Sequence, residues 1–423
     1  MAYAGYTDIG YKPKRDDLVA EFRIAPAPGM GMREAAEAIA AESSIGTWTD
    51  VSTSKPYVMK LAARVFEISG SRVKIAYPIQ LFEPDNVPQI LSSVAGNVFG
   101  MKAVDALRLE DINLPDMIVK SFKGPRFGIH GIRKMLGVPK RPLVGTIVKP
   151  KLGLRTTDHA KVAYDAWAGG CDMVKEDENL SNQSFNPFGK RVVQTLRARD
   201  NAEKRTGERK VYMPNVTAEA NEMVKRAKFV KRQGGEYIMV DIITVGWAGL
   251  QTLMEADLGL VVHAHRAMHA AMTRSPAHGI SMLVIAKLAR LIGVDQIHIG
   301  TVVGKMEGGS TEVGEIEQEI EERMILPHKK AHALGEEWMH IKPCMAVCSG
   351  GLHPGHVPKL MEMLGRDIVI QMGGGIHGHP KGTKSGAAAA RQAVDAVMNG
   401  IPLAGYAKMH KELADAIGKW GKG

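Results

Sequence analysis

Cysteine is scarce: the chain of 423 residues holds three, Cys171, Cys344 and Cys348, all in apolar strand-like stretches where a buried free thiol is the ordinary state. A disulfide-held scaffold and a cysteine-built metal site are therefore set aside. Aromatic residues make up only 5%, and no Lys/Arg block is interleaved with them, so the formal net charge of +10 does not read as a nucleic-acid surface. An anionic small substrate accounts for part of that charge equally well. No apolar run approaches the roughly 20 residues that span a bilayer, and MAYAGYTDIGYKPKRDD lacks the apolar core of a signal peptide. The expectation is a cytoplasmic protein without membrane or nucleic-acid partners. Internal repeats and low-complexity tracts are also missing, which excludes solenoids and disordered tails.

What is present is enough chain for more than one core, so two domains are expected, 1–124 and 125–423. From Leu143 onward, short β-branched runs alternate with amphipathic stretches of helical length. The runs are LVGTIVK (143–149), CDMVKED (171–177), VYMPNVT (211–217), YIMVDIITV (237–245), LVVHAH (260–265), QIHIGT (296–301), CMAVCS (344–349) and DIVIQMG (367–373). Eight such βα units are what an α/β TIM barrel requires. Segments such as TTDHAKVAYDAWAGG and TAEANEMVKRAKFVKRQGG open on threonines expected to cap helices and close on glycine. GTKSGAAAARQAVDAVMNG reads as the last barrel helix, followed by a short helical tail. Before Gly124 the pattern is mixed, with a helix in MREAAEAIAAESS, a strand in VKIAYPIQLF and a second helix in PQILSSVAGNVFG, which indicates a smaller α+β domain.

Barrels gather function at the carboxyl ends of their strands. Polar residues fall there: Lys149 and Lys151 after the first run, Lys175, Asp177 and Glu178 at the second, His265 and Arg266 at the fifth, His298 at the sixth. Singly, each has a plain explanation as a solvated or packed side chain. Within K-E-D-E, Lys175 and Asp177 share one strand face. Two carboxylates beside a cationic lysine make a poor metal site, and spacing alone favours an ordinary salt bridge. If the amine captures CO2 as a carbamate, three oxygen-donor anions converge, which suits Mg2+. Ser349-Gly350-Gly351 and Gly373-Gly374-Gly375 follow the last two runs, where barrels commonly bind phosphate, although a glycine triplet is as often a turn. GTVVGKMEGG carries Lys305 between glycines, as either a closing lid or a mobile surface loop would. The pairs His263/His265, His353/His356 and His377/His379 lack the partners of a zinc site, and the acidic stretch TEVGEIEQEIEERM reads as a solvated face.

Taken together, ESSIGTWT, GNVFGMKAVDALRLED, GTIVKPKLGL, GGCDMVKEDEN, HAHRAMHAAMTR, IHIGTVVGKMEG, SGGLHPGHVP and QMGGGIHGHP occur in the order and at the spacing of one family. Over nearly its whole length the chain resembles the ribulose-1,5-bisphosphate carboxylase/oxygenase (RuBisCO) large subunit. The resemblance implies a TIM barrel with an N-terminal ferredoxin-like α+β domain. It also implies a carboxylase that adds CO2 to ribulose 1,5-bisphosphate, giving two 3-phosphoglycerate, with a side reaction of O2. By matching position, Lys175 is the carbamylated lysine, holding Mg2+ with Asp177 and Glu178. Lys149 handles protons, Lys151 binds substrate beside it, His265 is an acid/base group, and Lys305 is the lid lysine acting on CO2. Arg266 and His298 are phosphate ligands, and Ser349, Gly350, Gly351, Gln371, Gly373 and Gly374 line the rest of the bisphosphate site. Glu42, Thr47, Trp48 and Asn97 match N-domain residues that complete the adjacent subunit's site, which implies a homodimer or a ring of dimers.

Two departures stand out: Glu176 occupies a position where the family often has Asp, and Ile299 one where many members have a small residue. YIMVDIITVGWAGLQ and the compact C-terminus resemble the archaeal-type form III branch, which works without small subunits and is associated with salvage of nucleotide (AMP) ribose. The alternative is a RuBisCO-like enolase or isomerase acting on a sulfur-containing sugar phosphate. Lys149, Lys151, Lys305 and the SGG loop, usually lost in part in such proteins, are all present.

Overall fold

In DLVAEFRIAP the side chains of Leu18, Ala20, Phe22 and Ile24 alternate to one face and are buried, which makes Asp17–Pro26 a strand, β1. The computed structural model describes residues 5–49, 51–303, 310–328 and 334–421. After β1 come helix α1 (Met32–Glu42), strands β2 (Arg64–Ser69) and β3 (Arg72–Pro78), helix α2 (Val87–Val94) and strand β4 (Val104–Asn113). They form an antiparallel sheet in the order β4-β1-β3-β2, which is the ferredoxin-like arrangement. Gly70 (φ 59) makes the tight turn between β2 and β3, and the Asn86 side chain caps α2 by accepting from Gln89 N.

The chain then lays down β5 (Leu143–Ile147), β6 (Met173–Lys175), β7 (Val211–Met213), β8 (Tyr237–Asp241) and β9 (Val261–His265). Next come β10 (Gly279–Ile280), β11 (Gln296–Gly300), the short pair β12 (Met324–Ile325) and β13 (Glu336–Glu337), and finally β14 (Met345–Ser349) and β15 (Ile368–Gln371). Two compact units result. The first combines Met1–Gly124 with Met268–Ile292 and Glu322–Ile341; the second comprises Pro125–Ala267, Gly293–Glu321 and Lys342–Gly423. In the first, β10 extends the sheet beside β4, and the buried Lys287 pairs with Asp111 at 2.7 Å while donating to the Ile112 carbonyl.

In the second unit eight parallel strands run β7-β6-β5-β15-β14-β11-β9-β8. The ends meet where Val216 N donates to Met239 O (3.0 Å) and Met239 N to Pro214 O (2.9 Å), closing a TIM barrel. Period-two alternation decides what fills it. Leu143, Met173, Val211, Tyr237, Val261, Met345 and Val369 lie toward the amino ends and join Ile132 and Leu136 of helix Gly128–Leu136 in one core. Further along the same strands the alternate positions become Lys175, Asp241, His263, His265 and Gln371, and β11 is polar at the corresponding positions from its first residue, Gln296, to His298. One end of the barrel is apolar and plugged, and the other is polar.

Three local expectations are corrected. YIMVDIITV leaves the sheet at Asp241, and Ile242–Val245 start a helix that Gly246 (φ 73) interrupts, so β-branching yields to tertiary context. The expected threonine caps are not caps. Helix Thr156–Gly169 has Arg155 at that position while Thr156 Oγ1 bonds Asn186, and helix Ala220–Arg232 is capped by the Glu219 carboxylate, leaving Thr217 to donate to Asp241. The acidic helix Ser310–Glu321 is not simply solvated: Glu319 is buried, and burial with Glu317 nearby pushes the Glu321 carboxyl up to about 9.

Candidate active site

Because β6 ends at Lys175, the strand hands its next three residues to the polar mouth of the barrel. Lys175 is fully buried, with Nζ donating to the Glu176 carbonyl at 2.7 Å. Its pKa is lowered by burial, against the opposing pull of Glu178, Asp241 and Asp177. Glu176 turns aside: its carboxylate takes Arg191 Nε at 2.5 Å, the Tyr212 hydroxyl and Asn215 N, an enclosed set that locks the start of the loop. Asp177 receives Lys149 Nζ at 2.8 Å from the end of β5, and Glu178 lies 3.6 Å from Lys151 Nζ and 3.8 Å from His265 Nε2. Burial tends to raise both of these carboxyls; for Asp177 the Lys149 contact, and for Glu178 the Lys175 charge, wins, and both are held below the usual range.

His265, at the end of β9, is oriented by Asp241 across β8, with Nδ1 2.8 Å from Oδ1. A carboxylate only accepts, so Nδ1 carries the proton and Nε2 is left bare toward Glu178. Asp241 is in turn bonded by Thr217, whose Oγ1 accepts from its N at 3.0 Å. Beside it, Arg266 is buried, and that burial lowers its pKa to about 10. Gly300 (φ 104) leaves the guanidinium its room, since a Cβ there would stand 2.8 Å from Nη2. His298 lies edge-on to both His263 and His265, each centroid 4.8 Å away.

After β14, Gly350 (φ 126) and Gly351 (φ 71) take backbone conformations that favour glycine. After β15, a Cβ on Gly373 would meet Lys149 Cε at 3.2 Å, so the eighth strand end and the first converge. Gln371 is buried, and neither atom of its carboxamide has a hydrogen-bond partner among the described residues, which marks a place for a polar ligand. Gly374 opens a one-turn helix, Gly374–His377. Lys305 lies outside the described residues. In the first unit, Asn97 Nδ2 reaches Glu42 Oε1 at 3.3 Å, Thr47 is half-buried and Trp48 is 78% exposed.

Asp241, Gln296 and Arg191 were not singled out by sequence reasoning, and His263 appeared there only as half of a histidine pair set aside as a zinc site. Asp241 lay within the run YIMVDIITV; that it ends β8 and faces His265 depends on where the strand stops and on the β8/β9 register. Among the histidine pairs, the rings of His353 and His356 lie tilted against each other with centroids 3.7 Å apart, while His377 bonds Thr146 and Thr383 and His379 bonds the Glu412 carbonyl.

A closed parallel α/β barrel with a lysine, two carboxylates, an Asp-oriented histidine and glycine-lined strand ends at its polar mouth, in one chain with a ferredoxin-like unit, defines a two-domain TIM-barrel protein built for an anionic ligand. Comparison with known proteins narrows this to one family. Residues 128–420 match the catalytic domain of the ribulose bisphosphate carboxylase large chain, and residues 5–118 match its N-terminal domain. The chain is 52% identical over 421 residues to the ribulose bisphosphate carboxylase of Methanosarcina mazei and 50% identical over 425 to that of Methanocaldococcus jannaschii, covering at least 98% of each. Among solved structures it resembles a dimeric archaeal Rubisco from Hyperthermus butylicus (TM-score 0.95, 44% identity, all of both chains). It also resembles the octameric enzyme of Pyrococcus horikoshii OT3, in complex with sulfate (TM-score 0.92, 46% identity, 100% and 97% of the two chains). The chain belongs to the ribulose bisphosphate carboxylase large chain family.

Proposed function

We propose that this protein is a ribulose-bisphosphate carboxylase, joining CO2 to ribulose 1,5-bisphosphate and releasing two 3-phosphoglycerate, with O2 as a competing substrate. The observation that carries the reading is the buried Lys175 beside Asp177 and Glu178, with Lys149 and the His265–Asp241 pair at the same strand ends. Among the described residues no three His, Cys, Asp or Glu side chains gather as a ready metal set. Two carboxylates and a desolvated lysine do gather, and the donor chemistry fits Mg2+ once Lys175 carries a carbamate. Lys175, Asp177 and Glu178 would hold the ion, which when bound supplies positive charge where oxyanion character develops.

The remaining work falls to the chain's own groups. Burial favours the neutral amine at Lys175, the form that attacks CO2. His265, its Nδ1 proton held by Asp241, offers Nε2 as a base toward a substrate hydroxyl. Lys149 Nζ, anchored on Asp177, is positioned to carry a proton to and from substrate carbon, with Lys151 beside it as a binding cation. Arg266, His298, the Ser349–Gly351 loop, Gln371, Gly373 and Gly374 receive the phosphates, and Lys305 acts on the incoming CO2. Glu42, Thr47, Trp48 and Asn97 serve the partner subunit's barrel in a symmetric dimer or ring of dimers. The archaeal relatives support a form III enzyme, and the proposal extends to a substrate supply from nucleotide ribose and to work without a small subunit.

Incubation with Mg2+, labelled bicarbonate and ribulose 1,5-bisphosphate tests this: labelled 3-phosphoglycerate is expected. Proton exchange at the substrate without label incorporation would instead identify an enolase-type activity.

A further inference from the structure

Inside the barrel, three buried side chains that none of the proposed roles uses form a line ending on His298, one of the proposed phosphate ligands. Met345 on β14, Gln296 on β11, His263 on β9 and His298 on β11 are each 5% exposed or less. Gln296 Nε2 lies 3.7 Å from Met345 Sδ, Gln296 Oε1 lies 3.0 Å from His263 Nδ1, and His263 Nε2 lies 2.8 Å from His298 Nε2. Each contact constrains the next. A thioether sulfur only accepts, so it turns the amide NH2 of Gln296 toward itself and the carbonyl toward His263. That carbonyl only accepts, so the proton of His263 sits on Nδ1 and its Nε2 is bare. A bare Nε2 at 2.8 Å requires a donor, and His298 Nε2 must supply it.

We propose that His263, oriented by Gln296, is a positioning residue that fixes His298 with its proton on Nε2, leaving Nδ1 as the atom that meets the ligand. Under the carboxylase reading, on which the ligand's identity rests, a phosphate oxygen cannot approach bare Nδ1 as an unprotonated acceptor. One proton lies between Nδ1 and that oxygen in the complex. The surroundings favour the shared proton on the oxygen side. Besides His263, the charged and titratable groups around His298 are His265 from β9, Lys175 from β6 and Arg266, and together with burial they hold the His298 ring neutral. The line also accounts for a carboxamide in the barrel interior, a placement that costs stability unless its polar atoms are matched.

Two measurements test the proposal. The first is ring-nitrogen NMR of ligand-free protein labelled with 15N-histidine, the His298 signals being identified by their loss in His298→Asn. It is expected to show Nε2 protonated and Nδ1 bare; a proton on Nδ1 overturns the proposal. This reading needs no turnover, so it stands apart from failure of the carboxylase assignment, which would show as a parent enzyme inactive on ribulose bisphosphate. The second is kinetic. His263→Phe removes the acceptor for the His298 proton and is expected to raise KM for the bisphosphate about tenfold while kcat changes less than about twofold. Gln296→Leu should shift KM the same way, and Gln296→Glu, which keeps an acceptor for Nδ1–H, should restore most of it. A folded His263→Phe protein with unchanged KM, or kcat falling as KM stays constant, rules out the positioning role.

Discussion

Lys175 shows how burial converts an ordinary residue into a reactive one. Its amine has no exposed surface, and desolvation lowers its pKa despite three neighbouring carboxylates, Glu178, Asp241 and Asp177. Activation by CO2 with Mg2+ should therefore rise with pH, level off once the amine is neutral, and have its midpoint below that of an exposed lysine; a pH series of activation rates measures it. Lys175→Ala should abolish Mg2+-dependent turnover, and normal activity in that variant would refute the carbamate assignment. His159 offers a stability counterpart. It is buried with Nε2 unpartnered among the described residues, and burial lowers its pKa from 6.5 to about 4. The unfolded chain binds the proton more readily, so the contribution is complete above about pH 6.5 and is lost as pH falls toward 4, on the order of 3 kcal/mol. His159→Leu should flatten the fall of Tm across that window; an equal fall in both proteins would place the acid sensitivity elsewhere.

At the scale of elements, the glycine-rich strand ends depend on what lies behind them. Gly386 sits in helix Thr383–Met398, among alanines, where helix propensity alone makes Gly386→Ala stabilising by about 1 kcal/mol. The tertiary structure reverses that sign: a Cβ there would come within 2.0 Å of the Ile376 carbonyl, directly after the Gly373–Gly375 loop. Gly386→Ala should therefore destabilise the protein by roughly 1–3 kcal/mol and raise KM for the bisphosphate, read by denaturant midpoint and by kinetics. The loop carrying Lys305 supports a different separation. Lys305→Ala should spare proton exchange at the substrate while carboxylation collapses, and equal loss of both in folded protein would count against a role confined to CO2. The βα alternation made the elements themselves legible, because buried barrel strands are short apolar runs and their helices end on glycine. The caps were not: Thr156 and Thr217 have side-chain partners, Asn186 and Asp241, that are far along the chain.

For the whole molecule, the proposed arrangement places Glu42, Thr47, Trp48 and Asn97 at the partner's barrel across a two-fold axis. Asn97→Ala and Lys175→Ala chains should each be nearly inactive alone. Co-expressed and pairing at random, half the dimers are mixed and each regains one intact site, so roughly one quarter of wild-type activity should return. No recovery in proven mixed dimers would mean that each N-terminal unit serves its own subunit.

By itself the sequence determined the class of fold and the inventory of chemistry: eight apolar runs with polar residues at their carboxyl ends, and motifs long enough to mark a family. Local periodicity suffices for that, since a strand's alternation and a helix's repeat are properties of neighbouring residues. Only the tertiary structure decided which polar groups meet. Asp241 reaches His265, Glu176 is drawn away to Arg191, and Met345 sets the proton of His298 through Gln296 and His263, because closing the sheet brings together strands whose spacing along the chain says nothing of their register.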